Sequence, residues 1–376
     1  MDLTPLSVDD IRPYLDAEVP AVLERVIARP SFAVLMAYLY PNTPVEKIAS
    51  QMRQVDSIKE FQHRYISRAI RNIVRDSIDE LTHEGLDDLD PNLGYLFISN
   101  HRDIILDSGL LNVLRYELGY ETTQIAIGDN LLISPMVSDL MKLNKSFIVH
   151  RLPPRQEIYA YSLRLSQYIR QTLTVDRSSV WIAQRNGRTK DGRDLTQAGL
   201  MKMLSLSAQS EDLGQAFAQL NLVPLAISYE YEPCDLLKAE ENWHRKQEIP
   251  YSKDDKLAII RGIRAKKGRV HLAAGKPISL HLSNIPSGIS RNEWLRQLCQ
   301  ILDQEIHRLY WRWPIQYAAA DFLHHAEQHA SHYTAPDREK LLDYLNRLAG
   351  QSNLPQADIK TELLQIYAGM IPPLSA

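Results

Sequence analysis

The stretch YLFISNHRDIILDS, residues 95–108, contains the pattern that decides the fold. A short apolar run, residues 95–98, stops at Ser99 and Asn100, and a charged turn carrying His101 follows it. A short apolar run that ends in turn-forming residues is typical of a buried strand. Helical spacing resumes at residue 108. The stretch therefore predicts a strand, a turn that presents His101, and a helix.

The same alternation continues to about residue 274. Strand-like apolar runs lie at residues 95–99, 124–127, 146–149, 179–183, 223–229 and 270–273. Helical patterns lie between them, at residues 108–118, 135–143, 155–173, 197–207 and around 253–265. Such alternation predicts an α/β fold, a mixed sheet flanked by helices. Ligands of such sheets gather beyond the carboxyl ends of the strands.

The two ends of the chain read as helical. We predict an N-terminal helical region over residues 1–90, which includes one long amphipathic helix over residues 55–81. A central α/β domain follows over residues 91–290, and a C-terminal helical region occupies residues 291–376. Helical spacing of the apolar residues is the basis for both outer regions.

Charge is unevenly distributed along the 376 residues, whose formal net charge is −3. Residues 1–100 carry ten Lys/Arg and sixteen Asp/Glu, a net charge of −6, whereas residues 142–203 carry twelve and four, a net charge of +8. A basic segment in an acidic protein favours an anionic substrate group or a membrane surface as partner. The overall acidity argues against a nucleic-acid partner.

The chain has two cysteines, Cys234 and Cys299, far apart in sequence, which fits a reducing compartment. The first residues, MDLTPLSVDD, lack the basic start and apolar core of a signal peptide. The longest apolar run, residues 32–40, has nine residues, and a membrane span needs about 20. We therefore expect a cytoplasmic protein that touches membranes only peripherally.

His101 and its neighbours have the side chains of a general base. Histidine has an unperturbed pKa of about 6.5, and a carboxylate beside it fixes its tautomer. Asp107 and Asp103 are both candidate partners. Taken alone, these residues are better explained by a helix cap or a surface ion pair than by catalysis. A protein-kinase catalytic loop is excluded, because Ser108 stands where that motif requires Asn.

Four further segments follow this turn in order: IAIGDNLLISP at 125–135, NKSFIVHR at 144–151, WIAQRNGRTKDGRD at 181–194 and VPLAISYE at 223–230. Together with the His101 turn, over roughly residues 95–280, they resemble the motif blocks of the glycerophospholipid acyltransferase family. That family includes the glycerol-3-phosphate and lysophosphatidic acid acyltransferases.

Two blocks depart from the family pattern. The first block is His, four residues, Asp, but here Leu106 holds the Asp position and Asp107 follows one residue later. The third block, Glu-Gly-x-Arg-Ser-Arg, is replaced by QRNGRTK at residues 184–190. The departures leave the identity of the acceptor open.

The resemblance implies transfer of a fatty acyl group from acyl-CoA or acyl-carrier protein to a hydroxyl of glycerol-3-phosphate, lysophosphatidic acid or a related lyso-lipid. His101 would be the general base, oriented by Asp107 with Asp103 as the fallback partner, and backbone N–H groups after Asn100 would stabilise the oxyanion. No cofactor is implied beyond the acyl donor. Arg188 is the first candidate for binding the anionic group of the acceptor. The full set of substrate-binding candidates is Asn100, Gly128, Asp129, Asn130, Lys145, Gln184, Arg185, Gly187, Arg188 and Lys190.

Simpler explanations exist for parts of this set, since residues 128–130 also suit a plain turn and residues 184–194 a solvated basic loop. Two other functions remain open: acylation of a non-phosphate lyso-aminolipid, and a catalytically silent module that binds lipid or acyl-carrier protein. Lipid substrates imply reversible contact with the inner membrane, for which we expect the cations of residues 142–203 to supply the surface.

A last cluster, in the sequence DFLHHAEQHASHY, places His325, His329 and His332 at helical spacing after Asp321. Such a face could bind zinc. A histidine-rich helix surface explains the cluster better, and we predict no metal site.

Overall fold

The structure is a computed structural model that describes residues 8–208, 210, 212–252 and 254–371. The first seven residues, on which the expectation about a signal peptide partly rests, lie outside the described residues. So does Lys253, where one predicted helix begins.

Across the described ranges, seven strands form one mixed sheet flanked by helices, as the sequence predicts. In chain order the strands are β1 (Ile78–Glu84), β2 (Leu96–Ser99), β3 (Gln124–Gly128), β4 (Ser146–Val149), β5 (Val180–Ala183), β6 (Leu222–Tyr229) and β7 (Gly268–Ala274). Their spatial order is β1-β7-β6-β2-β5-β3-β4.

The direction of the strands decides where a site can form. β2 runs parallel to β5 and β6, and β3 runs parallel to β4 and β5. β7 is antiparallel to β6, and β1 is parallel to β7. Five strands, β2 to β6, therefore end at the same edge of the sheet, and β2 is the central strand of the seven.

The helices before the second strand are α1 (Val19–Ile27), α2 (Pro30–Leu39), α3 (Val45–Met52), α4 (Ile58–Phe61) and α5 (Arg68–Ser77). Those between strands are α6 (Leu106–Glu117), α7 (Pro135–Leu143), α8 (Ile158–Thr174), α9 (Ala198–Leu204), α10 (Leu213–Ala218), α11 (Asp235–Lys246) and α12 (Asp255–Arg264). The last are α13 (Arg291–Leu309), α14 (Pro314–His324), α15 (Ala335–Ala349) and α16 (Gln356–Ala368).

The apolar core lies on both faces of the sheet. Side chains alternate along a strand, so Leu96 and Ile98 of β2 face one way and Phe97 the other. The first two pack in a core with α8, α9 and α13, and Phe97 packs in a second core with α5 and α6. Because both faces are covered, all four residues of β2 are buried.

One prediction of secondary structure is wrong. The helix expected over residues 55–81 ends at Ser77, and Ile78–Glu84 forms β1 instead. Six backbone pairs with β7 hold this edge strand. Its sequence, IDELTHE, has the alternation of a strand exposed on one side. Sequence periodicity missed it because the apolar residues of α5 run into it without a turn signal.

The outer helices pack on their own cores. α1 to α4 enclose one with Met136 and Leu143 of α7, and α14 to α16 enclose another with Leu236 and Ala239 of α11. None of the described helices combines the length and apolarity needed to cross a bilayer.

Candidate functional site

Four turns meet at the common edge of the sheet. His101 follows β2, Asn130 follows β3, Arg151 follows β4 and Arg185 follows β5. All four residues line one cavity of about 380 Å³, which we call the polar cavity. Parallel strands bring these positions together although they lie up to 84 residues apart, as Trp181 pairs with Phe97 in the sheet.

His101 pairs with Asp107, as predicted. Its Nδ1 lies 2.9 Å from Asp107 Oδ2. Because α6 begins at Leu106, Asp107 stands in the first turn, from which a side chain reaches back toward the preceding residues. With Nδ1–H donating to the carboxylate, Nε2 is the nitrogen able to take a proton.

The Asp107 carboxylate is fully buried and fully hydrogen-bonded. Besides His101, it accepts from the backbone N–H of Arg102 at 2.7 Å and of Asp103 at 3.0 Å. The Tyr229 hydroxyl donates to Oδ1 at 2.9 Å. Burial, with the nearby Asp107 charge, raises the pKa of Tyr229 well above its usual range, so the hydroxyl stays a donor. These hydrogen bonds therefore hold the carboxylate in one orientation relative to His101.

Asp103 is not the partner of His101. Its Oδ1 accepts from the N–H groups of Ile105 and Leu106, both at 2.8 Å, which caps the start of α6. This arrangement also occupies four of the backbone N–H groups that were expected to stabilise the oxyanion. The N–H groups of Arg102, Asp103, Ile105 and Leu106 are all donating to the two carboxylates.

Asn100 is not a substrate ligand in this structure. Its Nδ2 donates to the carbonyl of Ile227 at 2.9 Å, and its Oδ1 accepts from the Ile227 N–H at 2.8 Å. The side chain is fully buried and thus continues the pairing of β2 with β6 past the end of β2. Its role is to hold the turn that presents His101.

Residues 184–194, which we call the basic loop, are fastened to that same turn. The Thr189 N–H donates to the His101 carbonyl at 2.9 Å. The buried Arg102 guanidinium forms an ion pair with Asp194 and donates to the Gly192 carbonyl at 3.3 Å. The position of the loop relative to His101 is therefore set by buried contacts and not by loop flexibility.

Two arginines of the basic loop line the polar cavity with His101, namely Arg185 and Arg188. Within the described residues, Nε of Arg185 and one terminal nitrogen of Arg188 are buried without a hydrogen-bond partner. Gly187 between them has φ 78°, a left-handed conformation that glycine adopts without strain. Unpaired guanidinium nitrogens on residues that line a cavity favour an anionic ligand. Lys190 also lines it, in an ion pair with Glu241.

Gln184 lies apart from this group. It is fully buried, and it is not one of the residues lining the polar cavity or its neighbour described below. Its backbone continues the sheet, with N–H donating to the Ser99 carbonyl at 2.8 Å. Both polar atoms of its amide are buried without a hydrogen-bond partner within the described residues, and its role in binding substrate stays a prediction.

Residues 128–130 divide between the two roles that the sequence left open. Asn130 lines the polar cavity, where Nδ2 donates to Asp255 Oδ2 at 3.0 Å. Asp129 turns to His150, with 3.2 Å between the carboxylate and Nδ1, and serves the turn. A Cβ on Gly128 would lie 2.3 Å from Nε of Arg151, so a larger residue there would displace the Arg151 side chain.

Lys145 lies at the opposite edge of the sheet from the polar cavity, too far to bind a ligand held there. It precedes β4, at the amino ends of the parallel strands, and pairs with Glu121 at 3.6 Å. The prediction for Lys145 is therefore wrong. The four residues of β4 separate Lys145 from the edge of the sheet at which His101 lies.

A second cavity, of about 390 Å³, adjoins the first. We call it the apolar cavity because its walls are mainly aliphatic, including Ile127, Ile148, Val149, Leu165, Leu200 and Met203. Seven residues line both cavities: His101, Ile104, Leu131, Arg151, Arg185, Asn186 and Gly187. The imidazole thus stands where a cationic space meets an apolar one.

Sequence reasoning missed the wall opposite the basic loop. It comes from α11, α12 and the chain between them, which contribute Lys238, Arg245, Tyr251 and Asp255. Arg151 was also missed as a lining residue. The signal available was the charge of α11 and α12, but charge alone does not distinguish a solvated helix from a cavity wall.

The described residues contain no cluster of three or more His, Cys, Asp or Glu side chains placed to hold a metal ion. The C-terminal histidines fail because α14 ends at His324, and His325 has φ 50°. Asp321 instead accepts hydrogen bonds from the His329 N–H and the Tyr333 hydroxyl.

Comparisons with known proteins add a distant likeness. No family model and no curated protein sequence matches the chain. Among solved structures, the chain is similar to the 1-acyl-sn-glycerophosphate (LPA) acyltransferase PlsC from Thermotoga maritima, with a TM-score of 0.37 and 12% identity. The match covers 78% of this chain and 96% of that one. This likeness is too distant to transfer a residue's role or an activity.

Proposed function

We propose that the protein is an O-acyltransferase that moves a fatty acyl group from acyl-CoA or acyl-carrier protein to a hydroxyl of an anionic lyso-lipid or glycerol-3-phosphate. The observation that carries this proposal is the position of His101. Its ring lies at the junction of the polar and apolar cavities, and its Nδ1 is held by a buried carboxylate.

The two cavities suit the two substrates. The apolar cavity would take the acyl chain, whose burial is favourable in proportion to its area. The polar cavity would take the acceptor, with its phosphate or carboxylate against Arg185 and Arg188. The acceptor hydroxyl and the thioester carbonyl would then meet beside His101, and such alignment supplies much of the rate of a two-substrate reaction.

In the proposed reaction, Nε2 of His101 takes the proton of the acceptor hydroxyl as its oxygen attacks the thioester carbonyl carbon. The resulting tetrahedral oxyanion forms beside His101, at the edge of the cationic space lined by Arg151, Arg185 and Arg188, whose positive potential favours it. The C–S bond then breaks, and the thiolate takes the proton from the imidazolium. General base catalysis of this kind contributes about 10²–10⁴ in rate.

The acceptor could also carry an ammonium group. Asp191, Glu241, Asp254 and Asp255 line the polar cavity together with the arginines, so its wall has both signs of charge. This favours a lyso-aminolipid as the second candidate acceptor. Since the acylated product is a lipid for every candidate acceptor, we propose that the protein works at the membrane surface.

The test is a screen of acceptors against acyl-CoA and acyl-carrier protein, with product mass as the readout. Wild-type protein should give an acylated product with at least one pair, His101→Ala should reduce its rate at least ~10²-fold, and the exposed His63→Ala should not. No product with any pair would favour a silent lipid-binding module. An unchanged rate for His101→Ala would remove the proposed base.

A further inference from the structure

Helix α2 presents an apolar face to the exterior. Its sequence, PSFAVLMAYL, contains no charged residue. Phe32 and Met36 are buried against the other N-terminal helices, whereas Val34 is 74% exposed and Tyr38 41%. A surface helix of a globular protein usually places charged or polar residues on its outer side. Contiguous exposed apolar surface marks a site of contact.

Helix α12 has an outer face of a different composition. Leu257 is 38% exposed and Ile260 is 46% exposed. They are flanked by three cations that are also exposed: Lys256, Arg261 and Arg264. Aliphatic side chains bordered by lysine and arginine are typical of helices that lie in a membrane interface.

The two helices are neighbours. Nε of Arg264 donates to the Tyr38 hydroxyl at 3.1 Å, and the guanidinium lies 5.1 Å from the centre of the Tyr38 ring. Tyr38 and Arg264 thus join the apolar face of α2 to the cationic face of α12. We call the two faces together the α2–α12 surface, defined by Val34, Tyr38, Lys256, Leu257, Ile260, Arg261 and Arg264.

This surface lies beside the candidate site. Leu257 and Ala258 of α12 line the polar cavity with His101. The hydrogen bond from Asn130 to Asp255 ties the start of α12 to the turn after β3. Any ligand bound at the α2–α12 surface would therefore lie next to the polar cavity.

The segment that the sequence suggested for this purpose does not supply such a surface. Eight of the twelve cations in residues 142–203 are buried, paired with a carboxylate or part of the polar cavity wall: Lys142, Lys145, Arg151, Arg164, Arg170, Arg185, Arg188 and Lys190. Most cations of that segment therefore lie in the protein interior, in ion pairs or at the polar cavity.

We propose that the α2–α12 surface docks the protein on a bilayer that contains anionic lipid. Exposed aliphatic groups would enter the interface while the three cations of α12 meet lipid phosphates. Each cation near an anionic surface contributes roughly fivefold in partitioning. This inference deepens the proposed function, since it names the surface through which lipid substrates would reach the cavity.

The test is sedimentation of the protein with vesicles of phosphatidylcholine alone and with added phosphatidylglycerol. Wild-type protein should bind the anionic vesicles and bind neutral ones much less. Val34→Asp with Ile260→Asp should lower binding at least ~10-fold, and Lys256→Gln with Arg261→Gln should lower it on the order of 10-fold. Equal binding by wild type and both variants would overturn the proposal, as would equal binding to both kinds of vesicle.

A matched control is available on the opposite face of the sheet. Val175 and Leu280 are 71% and 69% exposed, so Val175→Asp with Leu280→Asp makes the same change elsewhere. This variant should bind like wild type. If it also loses binding, the effect is one of net charge and the surface is not the docking site.

Two more measurements separate this proposal from the others. His101→Ala should bind vesicles as wild type does, so docking can stand even where no acyl transfer is detected. Light scattering gives the oligomeric state. If the Val34→Asp, Ile260→Asp variant turns a dimer into monomers and no vesicles bind wild type, the surface joins two copies of the chain and the proposal fails.

Discussion

The Arg102 guanidinium and the Asp194 carboxylate form an ion pair in which the side chains are 4% and 0% exposed. Arg102 directly follows His101, and Asp194 ends the basic loop. The same guanidinium lies 3.3 Å from Glu232. The Tyr310 hydroxyl also donates to Asp194. One buried pair thus joins the turn of the proposed base to the loop of the proposed anion site.

Replacing Asp194 with Asn should destabilise the fold and misplace the loop. Removing one partner of a buried ion pair costs about 3–5 kcal/mol, because the other charge stays buried. Urea unfolding should show a fall of that order in the free energy of unfolding. Asp176→Asn, at an exposed position, should leave it unchanged. Equal stability of the two variants would show that the pair contributes nothing.

Replacing Asp107 with Asn should lower kcat for acyl transfer by roughly 10²–10⁴, because His101 loses the acceptor that fixes its tautomer. The KM for the acyl donor should change little. Asp103→Ser retains an oxygen that can cap α6, so it should stay within a few fold of wild type. If Asp103→Ser lowers kcat as strongly as Asp107→Asn, the orienting role belongs to Asp103.

Replacing Arg188 with Lys should weaken the acceptor and spare the donor. A lysine keeps the charge but loses the two-pronged geometry that binds phosphate or carboxylate. We expect the KM for an anionic acceptor to rise about 10-fold, corresponding to about 1.4 kcal/mol, with the donor KM unchanged. Arg193→Lys, on the exposed side of the same loop, is the control. A rise in the donor KM alone would assign Arg188 to the thioester instead.

Lys267 should make stability depend on pH. Burial lowers the pKa of its ammonium to about 8, whereas an unfolded lysine has a pKa of about 10.4. Between these values the unfolded chain binds more protons, so the free energy of unfolding rises with pH. Below pH 8 both states are protonated, and the cost of burying the charge is fully present.

The comparison that isolates this effect is Lys267→Met. From pH 7 to pH 10, the stability of wild type should increase relative to the variant by up to about 3 kcal/mol, measured by urea unfolding at each pH. Other titrating groups contribute equally to both proteins. A difference that does not change with pH would show that the ammonium is solvated in the folded state.

Much of the sheet could be predicted because short apolar runs with turn signals are local features. The helix over residues 135–143 and the strand over residues 146–149 have their predicted bounds. β1 could not be separated from α5, since its strand pairing with β7 joins positions about 190 residues apart. The pairing of His101 with Asp107 was predicted because both lie within one turn.

The remaining site residues depended on long-range contacts. The neighbouring sequence does not show that the Asn100 amide is hydrogen-bonded to the Ile227 backbone. Nor does it show that Gln184 is buried or that Lys145 lies at the amino ends of the strands. For the same reason, the wall formed by α11 and α12 was invisible in sequence.

By itself the sequence determined the alternation of strands and helices and the local pairing of an imidazole with a carboxylate, because periodicity and short spacing are properties of neighbouring residues. Only the tertiary structure decided which cations face a cavity, which are consumed by buried ion pairs, and which lie on the outer surface of α12. Charge acts through space, and the fold sets the distances and the dielectric in which it acts.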